Sequence, residues 1–181
     1  MKDWLSQLDQ LTEQFVTTFG ALTAAQLNWK PALQTWSIAQ NIHHLIVVNE
    51  SYYPILASLR SGTYKTPFIG KVGFMVSLFG KVILNSVKPD RKKKTKTFAI
   101  WEPTAITSED ILQQFEKHQS ELKQQIAACE KLTGKGAVIS SPVNKNIVYK
   151  LETAFDIIVS HEQRHLEQAK EVLQQLAKAN Q

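Results

Sequence analysis

The fold is decided near the end of the chain, by residues 149–178, which read YKLETAFDIIVSHEQRHLEQAKEVLQQLAK. Apolar residues recur in this segment at intervals of three and four, which is the spacing of one face of an α-helix. The segment therefore predicts a long amphipathic helix with one buried face. The apolar residues on that face are Leu151, Ala154, Ile158, Ala169, Val172 and Leu176.

Three earlier segments carry the same helical spacing. The first covers residues 4–19. The second opens at the capping box SIAQ and covers residues 37–59, where Pro54 predicts a kink near residues 50–53. The third opens at TSED and covers residues 107–129. A further capping box, TAAQ, predicts one short helical turn between the first two segments.

Four amphipathic helices and no convincing strand predict an all-α fold, with the helices arranged as a four-helix bundle. The connection over residues 61–106 is too long for a tight turn between helices two and three. It predicts a long crossover that packs on the bundle as a cap and contains one irregular helix near residues 70–86. A crossover of this kind favours a parallel arrangement of the second and third helices.

Composition is that of one globular domain spanning residues 1–181. The chain is 43% hydrophobic and 20% charged, and its single cysteine, Cys129, excludes an internal disulfide and a thiolate-rich zinc cluster. The first residues lack the apolar run of a secretory signal. Lysines interrupt the apolar stretch 68–87, so no membrane-spanning helix is predicted. A cytoplasmic protein is therefore expected.

The net charge of +5 is concentrated in one short run. Residues 88–96, KPDRKKKTK, hold six basic residues and one acidic residue. Such a run can bind phosphate backbones, but no recognition helix or RNA-binding motif accompanies it. It predicts a solvated loop with no specific role in binding nucleic acid.

Two histidines interrupt the apolar stripe of the last helix. His161 and His165 follow Ile158 in steps of three and four, so both face the core, one turn apart. Two imidazoles at this spacing can bind one divalent metal. The segment HEQRH also matches the H-E-x-x-H motif of metalloproteases. The only carboxylate side chains downstream are those of Glu167 and Glu171. In such a protease the third ligand lies further along the sequence from the motif, so here the third ligand is expected upstream.

The upstream candidate is His44, which lies on the apolar stripe of the second helix, whereas His43 is rotated about 100° to its flank. Three inward imidazoles on two helices predict a divalent metal held by His44, His161 and His165. His118 falls on the apolar stripe of the third helix. It is left open as a fourth ligand, as a residue that supports a ligand, or as a hydrogen-bonded core histidine.

Three motifs of the chain together resemble the DinB-like (YfiT-related) superfamily. They are residues 22–31 (LTAAQLNWKP), residues 36–45 from Trp-Ser to His-Leu, and residues 161–165 (HEQRH). The resemblance covers essentially the whole chain, although residues 68–96 match none of its motifs. It implies a four-helix bundle of up-down-down-up topology with a long crossover after the second helix.

The same resemblance implies a divalent metal, zinc or nickel, held by three histidines that carry over onto His44, His161 and His165. Many members of this superfamily are dimers. Some relatives use low-molecular-weight thiols such as bacillithiol, mycothiol or glutathione in transfer or isomerisation. Others are described as metal-dependent hydrolases, and stress-induced members have no established reaction.

Three neutral imidazoles would leave the metal with its full charge and an open position, so thiol transfer and hydrolysis are both available. Because a soft thiolate suits zinc and nickel, we expect an enzyme that transfers a low-molecular-weight thiol to a small electrophile. A metal-dependent hydrolase of a small molecule and a non-enzymatic, metal-stabilised binding protein are the alternatives. Glu50 and Glu162 are candidates to assist the metal-bound anion as a general base without contacting the metal themselves. The excess of apolar residues in 68–87 predicts a homodimer.

Overall fold

Helices dominate the computed structural model, which describes residues 3–90, 97–103 and 110–179. The elements are α1 (Trp4–Phe19), α2 (Ala24–Asn28), α3 (Ile38–Glu50), α4 (Tyr53–Arg60), a 3₁₀ turn (Phe68–Lys71), α5 (Gly73–Val87), a 3₁₀ turn (Ala99–Trp101), α6 (Ile111–Ala127), α7 (Glu130–Thr133), β1 (Val138–Ser141), β2 (Asn144–Lys150) and α8 (Leu151–Ala179). The all-α prediction therefore fits broadly, with a small two-stranded sheet added to it.

Two helices begin at the capping boxes that the sequence predicts. The hydroxyl of Thr23 accepts from the backbone N–H of Gln26 at 3.3 Å, and the N–H of Thr23 donates to Gln26 Oε1 at 2.9 Å. Ser37 and Gln40 make the same reciprocal pair at 3.0 and 3.1 Å. These bonds satisfy N–H groups that the first turn of a helix leaves free. The second capping box thereby fixes the start of α3, the helix that carries His44.

The second predicted helix is two helices. α3 ends at Glu50 and α4 begins at Tyr53. The interruption therefore lies where the kink was predicted, but it divides the helix instead of bending it. Pro54 is the physical reason, because it has no N–H to donate and its ring clashes with the carbonyl four residues earlier, that of Glu50.

The expectation of no strand is wrong for residues 138–150. β1 and β2 pair in antiparallel fashion, with Ile139 opposite Tyr149. Ile139, Val148 and Tyr149 are buried, and β-branched and aromatic residues of this kind favour a pleated, half-buried strand. In consequence α8 begins at Leu151, two residues later than predicted.

Four of the helices pack around a shared core. α1 contacts α6 and α8, and α3 contacts the same two helices. The rings of Phe15 and Phe115 lie 4.7 Å apart between α1 and α6, and those of Trp4 and Phe155 lie 5.3 Å apart, edge to face, between α1 and α8. Buried aromatic pairs of this kind contribute strongly to core stability. The two helices that carry the three histidines, α3 and α8, therefore share one packed interface.

α5 lies against β2 and α8. Gly80 permits this close approach, because a Cβ at that position would lie 3.2 Å from Cγ2 of Thr153 and 3.3 Å from Cβ of Tyr149. The side of α5 that faces away from this contact carries exposed apolar residues.

Two predicted segments lie largely outside the described residues. These are the basic run at 88–96, of which only the first three residues are described, and the helix start at 107–110, of which only Asp110 is described. Within the described ranges, every helix is too short or too polar to cross a membrane.

Candidate metal centre

Three histidines meet between α3 and α8. Nε2 of His161 lies 3.0 Å from Nε2 of His165 and 3.4 Å from Nε2 of His44. Two nitrogen ligands of a tetrahedral zinc ion, each about 2.0–2.1 Å from the metal, lie about 3.3 Å apart. The spacing therefore suits a single ion. The three residues that the sequence singles out form a group that could hold a divalent metal.

The outer nitrogens of two of these rings are held by hydrogen-bond acceptors. Nδ1 of His44 lies 2.7 Å from the backbone carbonyl of Trp101, and Nδ1 of His165 lies 2.8 Å from Oδ1 of Asn41. Since both partners are oxygen acceptors, each Nδ1 donates a proton, and each Nε2 keeps its lone pair. Both lone pairs are then directed at the nitrogen of His161, an arrangement that a cation satisfies and that fits a metal site.

Burial lowers the pKa of all three histidines. The pKa of His44 falls to about 4, although its bond to the Trp101 carbonyl opposes the shift. Burial, followed by the neighbouring imidazoles, holds the pKa values of His161 and His165 well below their usual range, and Arg164 acts in the same direction. Because a metal binds only the unprotonated imidazole, these rings stay in the ligand form at neutral and mildly acidic pH.

Trp36 forms an aromatic wall beside the three rings. Its ring centroid lies 4.8 Å from that of His44 and 5.8 Å from that of His165, and it stacks on the second at an interplanar angle of 21°. It directly precedes Ser37, the N-cap residue of α3. His161 is half-buried, whereas His44 and His165 are buried. The open side of the group is therefore next to His161.

Glu162, the second residue of HEQRH, is held by partners on two other helices. Its Oε1 accepts from Nδ2 of Asn49 on α3 at 2.8 Å, and its Oε2 accepts from Nε2 of Gln119 on α6 at 2.7 Å. The side chain is fully buried, and this burial raises its pKa to about 7 in spite of the two donors. Both carboxylate oxygens are thus engaged in joining α8 to α3 and α6.

His118 and Glu50 lie outside the histidine group. Nε2 of His118 lies 3.2 Å from Nδ2 of Asn49, and its Nδ1 lies 3.4 Å from the hydroxyl of Tyr53. Glu50 is half-exposed, and its Oε1 lies 3.8 Å from Nδ1 of His118. Burial lowers the pKa of His118 to about 4, and burial raises that of Glu50. These contacts connect His118 to Glu162 through Asn49 and not to the three rings.

Sequence reasoning missed the residues that orient the rings. Asn41 precedes His44 by three positions on the same helix, so its helical spacing was an available signal. Trp101 lies 57 positions after His44 in the sequence, and it contributes a backbone carbonyl, which no residue type reveals.

Comparison with known proteins gives a family match. The chain matches the family model of the DinB superfamily over residues 7–169, a range that includes all three histidines. No curated protein and no solved structure matches the chain. Since the family match covers far more than half of its length, the chain belongs to the DinB superfamily.

Proposed function

We propose that His44, His161 and His165 bind one divalent metal, zinc or nickel, and that the chain is a metal-dependent enzyme acting on a small molecule. The leading reaction is transfer of a low-molecular-weight thiol to an electrophile. The convergence of three Nε2 atoms, two of them with lone pairs fixed by Nδ1 bonds, is the observation that carries the proposal. When bound, such a metal lowers the pKa of a coordinated thiol or water.

The chain's own residues orient the ligands and shield the site. Asn41 and the carbonyl of Trp101 hold two rings in the tautomer that presents Nε2. Trp36 stacks on the face of His165 and packs at a tilt against His44, which limits the access of water from that side. A substrate would therefore approach beside His161, the most exposed of the three.

Glu162 acts in this proposal as a positioning residue. In a metalloprotease the glutamate of H-E-x-x-H serves as a general base at the metal. Here both carboxylate oxygens accept from Asn49 and Gln119, which disfavours that role and, with it, a protease. Glu50 contacts His118 instead of the three rings, so it too is assigned no proton transfer.

We propose an up-down-down-up bundle as the frame of the site, within one domain over residues 1–181 and with residues 61–106 as the crossover. Contacts between helices support an antiparallel α1 and α6, a parallel α3 and α6, and an antiparallel α3 and α8. The first pair is supported by Asp9–Lys123 and Phe15–Phe115. The second is supported by Asn49–His118, together with Arg60–Gln125 between α6 and α4, the helix that follows α3. The third is supported by Asn41–His165 and Asn49–Glu162. A homodimer and a cytoplasmic location stay predictions.

The metal assignment is tested with purified protein loaded with nickel or zinc. Wild type is expected to hold one ion per chain, measured by elemental analysis, and His165→Ala is expected to lose it while keeping its helical circular dichroism. His43→Ala is the matched control, because His43 neighbours His44 on α3 but lies outside the group. Full metal retention by His165→Ala would contradict the assignment.

The reaction is tested separately on the metal-loaded chain. A thiol transferase is expected to bind one cellular thiol far more tightly than unrelated thiols and to conjugate it to monochlorobimane. Turnover of esters or amides without any thiol, and only with metal present, would support the hydrolase instead. A chain that holds metal but performs neither reaction would be a metal-stabilised binding protein.

A further inference from the structure

The outer face of α5 is a second feature of the molecule, separate from the histidines. Phe74, Leu78 and Val82 recur there every four residues and are 73%, 41% and 54% exposed. Phe68, in the 3₁₀ turn that precedes α5, is 82% exposed. Because Gly80 and its neighbours hold the opposite face against β2 and α8, these four apolar side chains are directed away from the rest of the described chain.

Two exposed lysines lie in the same stretch of chain as these apolar side chains. Lys71 and Lys81 are exposed, and Lys81 lies on α5 between Leu78 and Val82. Residues 51–89 contain five basic residues and no acidic residue. Residues 51–101 as a whole hold ten basic residues and one acidic residue, a net charge of +9 against +5 for the entire chain, so the remainder is net −4. Exposed apolar side chains and the positive charge thus fall in the same segment.

We propose that this face binds the surface of an anionic lipid membrane, with α5 lying in the interface. The face is defined by Phe68, Phe74, Leu78, Val82, Lys71 and Lys81 and is called the α5 face. Apolar side chains enter the boundary between headgroups and acyl chains, while lysines keep their ammonium groups among the lipid phosphates. Basic residues near the surface add attraction to anionic lipids. This function goes beyond the metal-dependent reaction and does not depend on it.

The homodimer prediction is based on the apolar residues of this same segment, but charge favours a membrane over a second copy of this chain as the occupant of the α5 face. A symmetric dimer places the same patch of each copy against the other. The exposed Lys71 and Lys81 of each copy would then face those of the other, and like charges across an interface oppose association. An anionic bilayer presents the opposite charge, together with an apolar layer that can receive Phe68 and Phe74.

The test is cosedimentation of the full chain with vesicles of phosphatidylcholine alone and with vesicles of equimolar phosphatidylcholine and phosphatidylglycerol. Wild type is expected to bind the anionic vesicles selectively and to dissociate as salt is raised. The double variant Lys71→Ser/Lys81→Ser should bind about 30-fold more weakly. The double variant Phe74→Ser/Leu78→Ser should bind more weakly than wild type by a factor of at least about 10. Leu33→Ser, at an apolar residue that is 92% exposed outside the α5 face, should bind as wild type.

A charge control completes the design: Lys135→Ser/Lys145→Ser removes two exposed lysines elsewhere and should bind nearly as tightly as wild type. Wild type that stays in solution with the anionic vesicles at low salt would overturn the proposal. Undiminished binding of the Phe74/Leu78 variant would overturn the assignment of the α5 face. Light scattering that gives twice the chain mass for wild type, and one chain mass for that variant, would assign the face to self-association instead.

Discussion

The affinity of the histidine group for nickel or zinc is expected to change little between about pH 7.5 and about pH 5.5. Solvated imidazoles behave differently over this range, because protons compete with the metal for the same lone pair. The expectation rests on the enclosure of the three rings, which disfavours their protonated forms.

The magnitude follows from the pKa values. Three imidazoles at the ordinary pKa of about 6.5 would each lose about 10-fold in affinity at about pH 5.5, or about 1,000-fold together. His44, at a pKa of about 4, is only about 3% protonated at that pH. Burial, followed by the neighbouring imidazoles, also holds the pKa values of His161 and His165 well below the usual range, so protons compete little for these two rings as well. The site should therefore lose less than about 2-fold in affinity.

Isothermal titration calorimetry in two buffers of different ionisation enthalpy measures both affinity and the protons released on binding. At about pH 5.5 ordinary imidazoles would release about 2.7 protons per metal, whereas this site should release fewer than about 0.3. A hexahistidine peptide is the control with solvated rings. Release of two or more protons, or a loss of about 100-fold in affinity from a chain that is still helical, would refute the reasoning.

The metal environment, the buried histidine outside it and the helix core each give one further prediction. Asn41→Leu should weaken metal binding about 10- to 100-fold in chelator competition, because Nδ1 of His165 loses its acceptor. Asn41→Asp, which keeps an acceptor, should bind at least as tightly as wild type. The pKa of His118 is about 4 in the folded chain and 6.5 unfolded, so the unfolded chain binds more protons and stability falls as pH drops below 6.5. The loss is about 2 kcal/mol at about pH 5, and denaturant titration of His118→Gln should show a shallower dependence on pH. Phe15→Ala should cost about 3–5 kcal/mol, because its ring is fully buried against Phe115, and an unchanged thermal midpoint would contradict this.

The location of the three histidines was predictable because helical spacing is a local rule. His161 and His165 stand one turn apart on a stripe of otherwise apolar residues, so the period alone directs both at the core. The two capping boxes were predictable for the same reason, since each bond joins residues three positions apart. The helix break near residues 50–53 was predictable as well, because the effect of Pro54 on a helix is also local.

The hairpin and the contact from Trp101 could not be found in this way. β1 and β2 are four and seven residues long, and the buried stripe of α8 starts directly after β2, so the strand pattern merges into a helical one. The partner of His44 is a backbone carbonyl in a segment distant in sequence. A carbonyl is present at every position, and only tertiary packing determines which one reaches the ring.

The polar residues on the interface between α3 and α8 have a purpose that composition cannot reveal. Asn41 and Asn49 lie eight residues apart on α3, about 12 Å along its axis, and His44 lies between them. The first accepts from His165 and the second donates to Glu162, so both bonds cross to the helix that carries the other two ligands. A slip of one turn would move the rings by about 5.4 Å, while metal–nitrogen bonds of about 2 Å tolerate only small displacements. Buried polar pairs are poor contributors to net stability, but they disfavour wrong registers strongly, because a slipped register leaves them unpaired in the core. We therefore interpret the Asn41–His165 and Asn49–Glu162 bonds as the device that sets the alignment of the two helices, on which the histidine group depends.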